Sequence, residues 1–316
     1  MSVTSSRPVC VIGLGLIGGS LLRRLAGGRT AFGYNRSTAT VDAAVAGGYD
    51  ASNDLPQTLS RAAAEDAVIV LAIPVTVLAP IVDAVVDHAP DCLLTDVVSV
   101  KEEVARIVAR HHPDARYVGG HPMAGTAHSG WDATDPTLFE DAMWMVTTQD
   151  DTDADDWLAV VDIARAAGSY VVPAAADAHD RAAAAISHNP HVTAAVTAAV
   201  GAGESRLPLR LAAGSFRDGT RVAGTAPELQ RAMLEANSVA LLNTLSETID
   251  RLVAARDRLR DHGDIADLIE AGHRARTTYE EIASGDVEPI VGVTIGADGW
   301  AQELRRQAHQ ARVWLG

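Results

Sequence analysis

Two rhythms of apolar and polar positions alternate along the first half of the chain. Short apolar or β-branched runs, suited to strands, occur at Pro8 to Ile12, Thr30 to Tyr34, Ala67 to Ile73, Cys92 to Val97, Arg116 to Val118, Met143 to Thr147 and Tyr170 to Pro173. Helical spacing begins between them at Leu16, Thr38, Pro56, Val75, Lys101 and Asp155. Such alternation predicts an α/β domain over residues 1–175, a doubly wound sheet with helices on both faces.

From Asp177 onward the texture becomes alanine-rich with helical periodicity, which predicts an all-α domain over residues 176–316. Asp177 followed by Asp180 is spaced like a cap for its first helix. The small side chains from Ala182 to Ala185 would let another helix approach closely, and Pro190, lacking a backbone donor, should kink the helix it sits in. Val291 to Ile295 is expected as a late strand and Trp300 to Val313 as a closing helix.

Composition narrows the class. A length of 316 residues fits two domains, and 47% apolar with 21% charged residues is ordinary for a globular protein. No run approaches the roughly 18 apolar residues of a membrane span, so no membrane partner is expected. Met1 to Pro8 is short and polar and fits neither a secretory signal nor a transit peptide, which points to a cytoplasmic location. The formal charge of -15, without a basic stripe, argues against nucleic acid. Cys10 and Cys92 lie in apolar runs and read as buried free thiols, so neither a disulfide framework nor a cysteine metal site is expected.

Candidate chemistry begins at Val9 to Ser20, an apolar strand followed by G-x-G-x-x-G and a helix. Gly13 permits the tight turn, Gly15 lets a pyrophosphate approach the backbone, and Gly18 lets helix and strand close on each other. Leu16 and Ile17 then offer backbone N–H groups at the helix start, where the macrodipole favours an anion. This pattern predicts a Rossmann-type dinucleotide site. At the end of the second strand Asn35, Arg36 and Ser37 stand where an NAD enzyme usually places a carboxylate against the ribose 2′-hydroxyl. Arg36 and Ser37 could instead hold a 2′-phosphate, which favours NADP while leaving NAD possible; the alternative is that Arg36 is solvated surface charge.

Three further clusters carry chemistry. Ser99, in Thr95 to Lys101, follows a strand and precedes a helix, as either a ligand-facing hydroxyl or a helix cap. His121, in Gly119 to Thr126, is expected on a tight turn at a strand end, placed to accept a hydroxyl proton near neutral pH. The third cluster joins His188 and His191, three residues apart, to Arg217 and Arg221, whose guanidinium forks suit a substrate carboxylate. Their bland alternative is a packed histidine beside solvated arginines, and the histidine spacing matches no zinc pattern, so no metal is expected.

Taken together, GLGLIGGS at 13–20, TDVVSVK at 95–101, GGHPMAGT at 119–126, SHNPH at 187–191 and GSFRDGTRVA at 214–223 resemble the prephenate/arogenate dehydrogenase family along nearly the whole chain. The resemblance implies oxidative decarboxylation of a small anionic cyclohexadienol with hydride transfer to NADP or NAD in tyrosine synthesis. It implies His121 as the base for the ring hydroxyl, Ser99 as its hydrogen-bonding neighbour, and His188 and Arg221 as substrate-binding groups, with His191 and Arg217 beside them. It also implies a homodimer formed through the helical domain. Two positions depart from the family pattern: Val98 replaces a glycine before the serine, and Asn189 replaces the leucine of SHLPH. A 3-hydroxyacid dehydrogenase or imine reductase would need a lysine or aspartate early in the helical domain, where this chain has His188 and no lysine. A non-catalytic NADP-binding sensor would need the glycine turn alone.

Overall fold

The computed structural model describes residues 7–126, 128–203 and 205–316, so most of the Met1 to Pro8 segment lies outside the described residues. The chain divides into two compact units, Met1–Asp180 with Ile290–Gly316, and Arg181–Pro289.

In chain order the first unit contains β1 (Val9–Ile12), α1 (Leu16–Leu25), β2 (Ala31–Tyr34), α2 (Thr38–Ala46), β3 (Ala51–Ser52), α3 (Leu55–Ala64) and β4 (Val68–Leu71). There follow α4 (Leu78–His88), β5 (Leu94–Asp96), α5 (Glu102–His111), β6 (Gly120–Pro122), β7 (Met143–Thr147), α6 (Ala154–Ala166) and β8 (Tyr170–Ala174). Helix α7 spans Ala176–Ala183.

Five parallel strands run in the order β3-β2-β1-β4-β5. Every residue of β1 and β4 is buried, as expected of central strands covered on both faces, which is why they read as unbroken apolar runs. Strand order reverses at β1, so the crevice beyond the carboxyl ends of β1 and β4 is the natural ligand position of this fold. A second sheet joins β6 antiparallel to β7 and β7 parallel to β8. Cys10 and Cys92 are free and buried, and burial pushes both thiols upward in pKa.

The structure corrects several expectations. Arg116 to Val118 forms no strand; Tyr117 makes only an isolated bridge to Leu94. The strand comes later, as β6, so His121 lies mid-strand opposite Met145 rather than on a tight turn. The two-residue β3 was too short to show periodicity. Asp177 and Asp180 both fall inside α7 instead of ahead of it.

The second unit is all-α among its described residues. A π turn at Ala184–His188 precedes α8 (Asn189–Ala202), and α9 (Leu207–Leu211), α10 (Gly214–Thr220), α11 (Pro227–Ala236), α12 (Ser238–His262) and α13 (Ala266–Ser284) follow. The π turn carries the expected irregularity before Pro190: the Asn189 N–H bonds back to the Ala184 carbonyl, widening the turn next to a residue that cannot donate. Helix α12 stops at Gly263, whose φ of 69° is the left-handed end that glycine adopts without strain.

The C-terminal segment from Ile290 rejoins the first unit, which corrects its expected place in a helical domain running to residue 316. No strand forms at Val291 to Ile295, and the closing helix α14 spans only Trp300–Ala308. Aromatic packing accounts for the return. Trp300 and Trp314 meet the buried Trp157 edge-on at 5.5 and 5.9 Å, Leu304 is fully buried, and the Trp314 N–H donates to the Val171 carbonyl.

Candidate active site

The glycine turn is built by close approach. A Cβ on Gly13, whose φ is +104°, would lie 2.4 Å from the Ala72 carbonyl oxygen, and one on Gly18 would lie 1.9 Å from the Gly13 carbonyl oxygen. Only glycine lets α1, β1 and the end of β4 converge here. Gly15 faces open space instead. It occupies the N-cap of α1 in an extended conformation, with no side chain capping the helix and no acidic residue in its first turn. The Leu16 and Ile17 end of α1 therefore presents positive partial charge without local competition.

The end of β2 divides its labour. The Asn35 side-chain oxygen accepts the Leu14 N–H at 3.1 Å, tying this strand end to the glycine turn. Ser37 caps α2 by accepting the Thr40 N–H. Arg36 is exposed and has no ion-pair partner among the described residues. The donor-rich helix start, the open face at Gly15 and an unneutralised guanidinium fit a dinucleotide phosphate chain.

Ser99 lies half-buried in the turn from β5 to α5. It does not cap α5, which begins at Glu102 with Lys101 in the cap position. Asp180 does that from 79 positions away: its Oδ1 accepts the Lys101 N–H at 2.8 Å and its Oδ2 the Glu102 N–H at 2.9 Å. The spacing that suggested a local cap thus belongs to a distant one. Burial pushes the Asp180 carboxyl upward, but hydrogen bonds from His179, Glu102 and Lys101 outweigh it and hold the group below the ordinary carboxylate range.

Behind this turn sits a buried polar knot. Lys101 and Asp96, both fully buried, form an ion pair, and the Lys101 ammonium also donates to the Gly120 carbonyl at 2.6 Å. Asp96 accepts the Val98 N–H at 2.8 Å and the Tyr117 hydroxyl at 2.6 Å. Burial lowers the Lys101 pKa against the opposing pull of Asp96, while burial and then the Asp96 charge raise that of Tyr117, keeping the phenol protonated. A Cβ on Gly120 would lie 2.8 Å from the Asp96 carbonyl oxygen, so only glycine fits beside the knot. The knot fixes the backbone one residue ahead of His121.

His121 is half-buried, and its Nδ1 lies 2.8 Å from Nε2 of His179, with the rings edge-on. His179 Nδ1 in turn lies 2.8 Å from the Asp180 carboxylate. Sequence reading did not single out His179. Its only signal was a histidine beside an acid, and the partner that gives it meaning is 58 positions away.

In the helical unit, His188 is buried and ends the π turn, so its separation from His191 is not a simple α-helical one. Asn237, buried at the start of α12, donates to His188 Nδ1 at 2.9 Å and is another residue the sequence did not mark. His191 is half-buried with its Nδ1 unpaired, and burial followed by the nearby Arg221 charge lowers its pKa. Arg221 is exposed beside it. Arg217 is exposed too, and pairs at 3.1 Å with its neighbour Asp218, which leaves it less charge to offer a ligand. Among the described residues no His, Cys, Asp and Glu cluster could hold a metal ion, and no helix is long and apolar enough to cross a membrane.

Comparison with known proteins gives this geometry a context. Residues 18–172 match the family model for the prephenate dehydrogenase nucleotide-binding domain, and residues 175–271 match that for its dimerization domain. A crystallised protein from Corynebacterium glutamicum, provisionally named a prephenate dehydrogenase, is 45% identical over 98% of each chain, with a TM-score of 0.92. Synechocystis arogenate dehydrogenase is 30% identical with a TM-score of 0.73, over 86% of this chain and 99% of its own. The cyclohexadienyl dehydrogenase of Zymomonas mobilis is 31% identical over 266 residues, 82% of this chain and 89% of that one. With both halves matched in order and the glycine turn intact, this chain belongs to the prephenate dehydrogenase family of NAD(P)-dependent oxidoreductases.

Proposed function

We propose that the chain oxidises and decarboxylates prephenate or arogenate on the route to tyrosine, with NADP favoured over NAD. The observation that carries this reading is a partly accessible imidazole, His121, fixed by a buried ion-pair knot in the same unit as a glycine turn that fits a dinucleotide. Gly13, Gly15, Leu16, Ile17 and Gly18 would hold the pyrophosphate, and Arg36 the 2′-phosphate. When bound, the nicotinamide supplies the hydride acceptor.

His121 takes the ring hydroxyl proton as the carbinol carbon gives up its hydrogen with both bonding electrons, and Ser99 hydrogen-bonds the same oxygen. The dienone so formed loses its ring carboxylate as carbon dioxide; the bonding pair enters the ring, and the resulting phenolate takes back a proton. Aromatisation drives this step. The protein's own work is alignment and charge compensation. Since Asn237 donates to His188 Nδ1, neutral His188 carries its proton on Nε2 as a donor for a substrate oxygen. Arg221 serves a carboxylate, with His191 and Arg217 as lesser contributors.

A homodimer through the helical unit is part of the proposal. None of the 19 residues of α13 is buried, although Ile269, Tyr279 and Ile282 lie on it, and α12 exposes Leu242, Ile249 and Leu252. Helices this poorly covered call for a partner surface. The 3-hydroxyacid dehydrogenase or imine reductase alternative, which needs a lysine or aspartate early in the helical domain, is not favoured, because both halves of the chain match prephenate dehydrogenase family models.

The deciding experiment follows NADPH absorbance with prephenate and with arogenate in parallel. Turnover of one or both is expected and names the substrate. Silence from both would overturn the proposal in favour of a nucleotide-binding sensor.

A further inference from the structure

We propose that His179 and Asp180 are positioning residues that hold His121 with its proton on Nδ1, so that the lone pair on Nε2 is the one that takes the substrate proton. The catalytic half of this inference rests on the function proposed above, whereas the protonation half stands on geometry alone.

Asp180 already accepts the backbone N–H groups of Lys101 and Glu102, an arrangement that favours its ionised, acceptor-only form. The contact at 2.8 Å between Asp180 and His179 Nδ1 therefore has the ring nitrogen as donor. A neutral His179 then has its lone pair on Nε2, and that atom lies 2.8 Å from His121 Nδ1. Nδ1 of His121 must donate into this pair, which leaves Nε2 of His121 as the basic nitrogen. The opposite polarity would need protons on both ring nitrogens of His179 and the His121 proton on Nε2, an arrangement the imidazole nitrogen spectrum distinguishes directly.

Both ends of the chain are anchored to rigid elements. Asp180 is fixed by the start of α5, and His121 by the pairing of β6 with β7 and by the Lys101 bond to Gly120. When Nε2 gains the substrate proton, no proton leaves Nδ1; the imidazolium is stabilised through the two hydrogen bonds that end on the carboxylate. No reorganisation is needed at that moment, which is how a preorganised relay lowers a barrier. The arrangement is analogous to the carboxylate that fixes a catalytic histidine's tautomer, with a second imidazole interposed.

Imidazole nitrogen NMR on the full chain labelled with ¹⁵N-histidine tests it, with His121 assigned from the spectrum of His121→Gln. The wild-type spectrum at neutral pH, without substrate, should show His121 protonated on Nδ1. Protonation on Nε2 would overturn the proposal, whatever the variants do. His179→Asn keeps the donor near Asp180 but cannot reach His121, and should lower kcat about 100-fold with KM within about threefold. His179→Gln places an amide oxygen near the lost Nε2 and should recover part of that loss. A kcat within about threefold of wild type in His179→Asn would also sink the inference. If neither substrate turns over in the wild type, the functional reading fails while the spectrum still reports the tautomer.

Discussion

At the scale of single residues, the proposed chemistry rests on groups whose partners are remote in sequence. His121→Asn removes the proposed base while keeping an uncharged polar group near the Nδ1 position, so kcat should fall about 100-fold or more while KM moves only a few-fold. Steady-state kinetics checks this, and turnover surviving within a few-fold would exclude His121 as the base. Arg36 is predicted to set cofactor choice. Its guanidinium has no ion pair among the described residues, so Arg36→Ala should lower kcat/KM for NADP by roughly tenfold or more, a loss of the size a charge-assisted phosphate contact supplies, and leave NAD nearly unchanged. An unaltered ratio would assign the preference elsewhere. The turn at Gly13 and the close packing at Gly18 were legible in sequence because both are local, fixed by a strand, a turn and a helix in succession. His179 and Asn237 were not, since each gains its role from a partner brought close only by folding.

At the scale of elements, α5 shows how a cap can come from outside the local chain. Its first turn is held by Asp180, whose carboxyl is more acidic in the folded protein than in the unfolded chain. Stability from such a group is complete above the ordinary carboxylate range, near pH 3.9, and drains away as pH falls below it through the depressed native value. The stability gap between wild type and Asp180→Asn should therefore stay constant from neutrality to about pH 5 and close below about pH 4, as read by urea unfolding across pH. A gap still fully open in acid would remove Asp180 from this role. Fully buried strands such as β1 and β4, four residues each, announced themselves by uninterrupted apolar runs. β3 and β6 did not: β3 has only two residues, and β6 is built from Gly120, His121 and Pro122, none of which favours a strand.

At the scale of the whole molecule, the division into a nucleotide-binding half and a helical half was readable from the change in texture near residue 177. The return of the last segment to the first unit was not, because what directs it is the fit of Trp300 and Trp314 around Trp157 rather than any periodic pattern. The uncovered helices carry the prediction at this scale. Sedimentation of the wild type at micromolar concentration should give two chains per particle, and Ile269→Glu with Ile282→Glu on α13 should give one. A monomeric wild type would refute assembly through this face.

Lys101 is the chain's only lysine against 25 arginines, and its ammonium is wholly enclosed. The folded protein accordingly hides its one ε-amine from the medium. Acylating reagents, or a protease that cuts after lysine, can reach this position only when the knot opens, so the rate of labelling or cleavage at residue 101 becomes a built-in clock for the opening of the catalytic half.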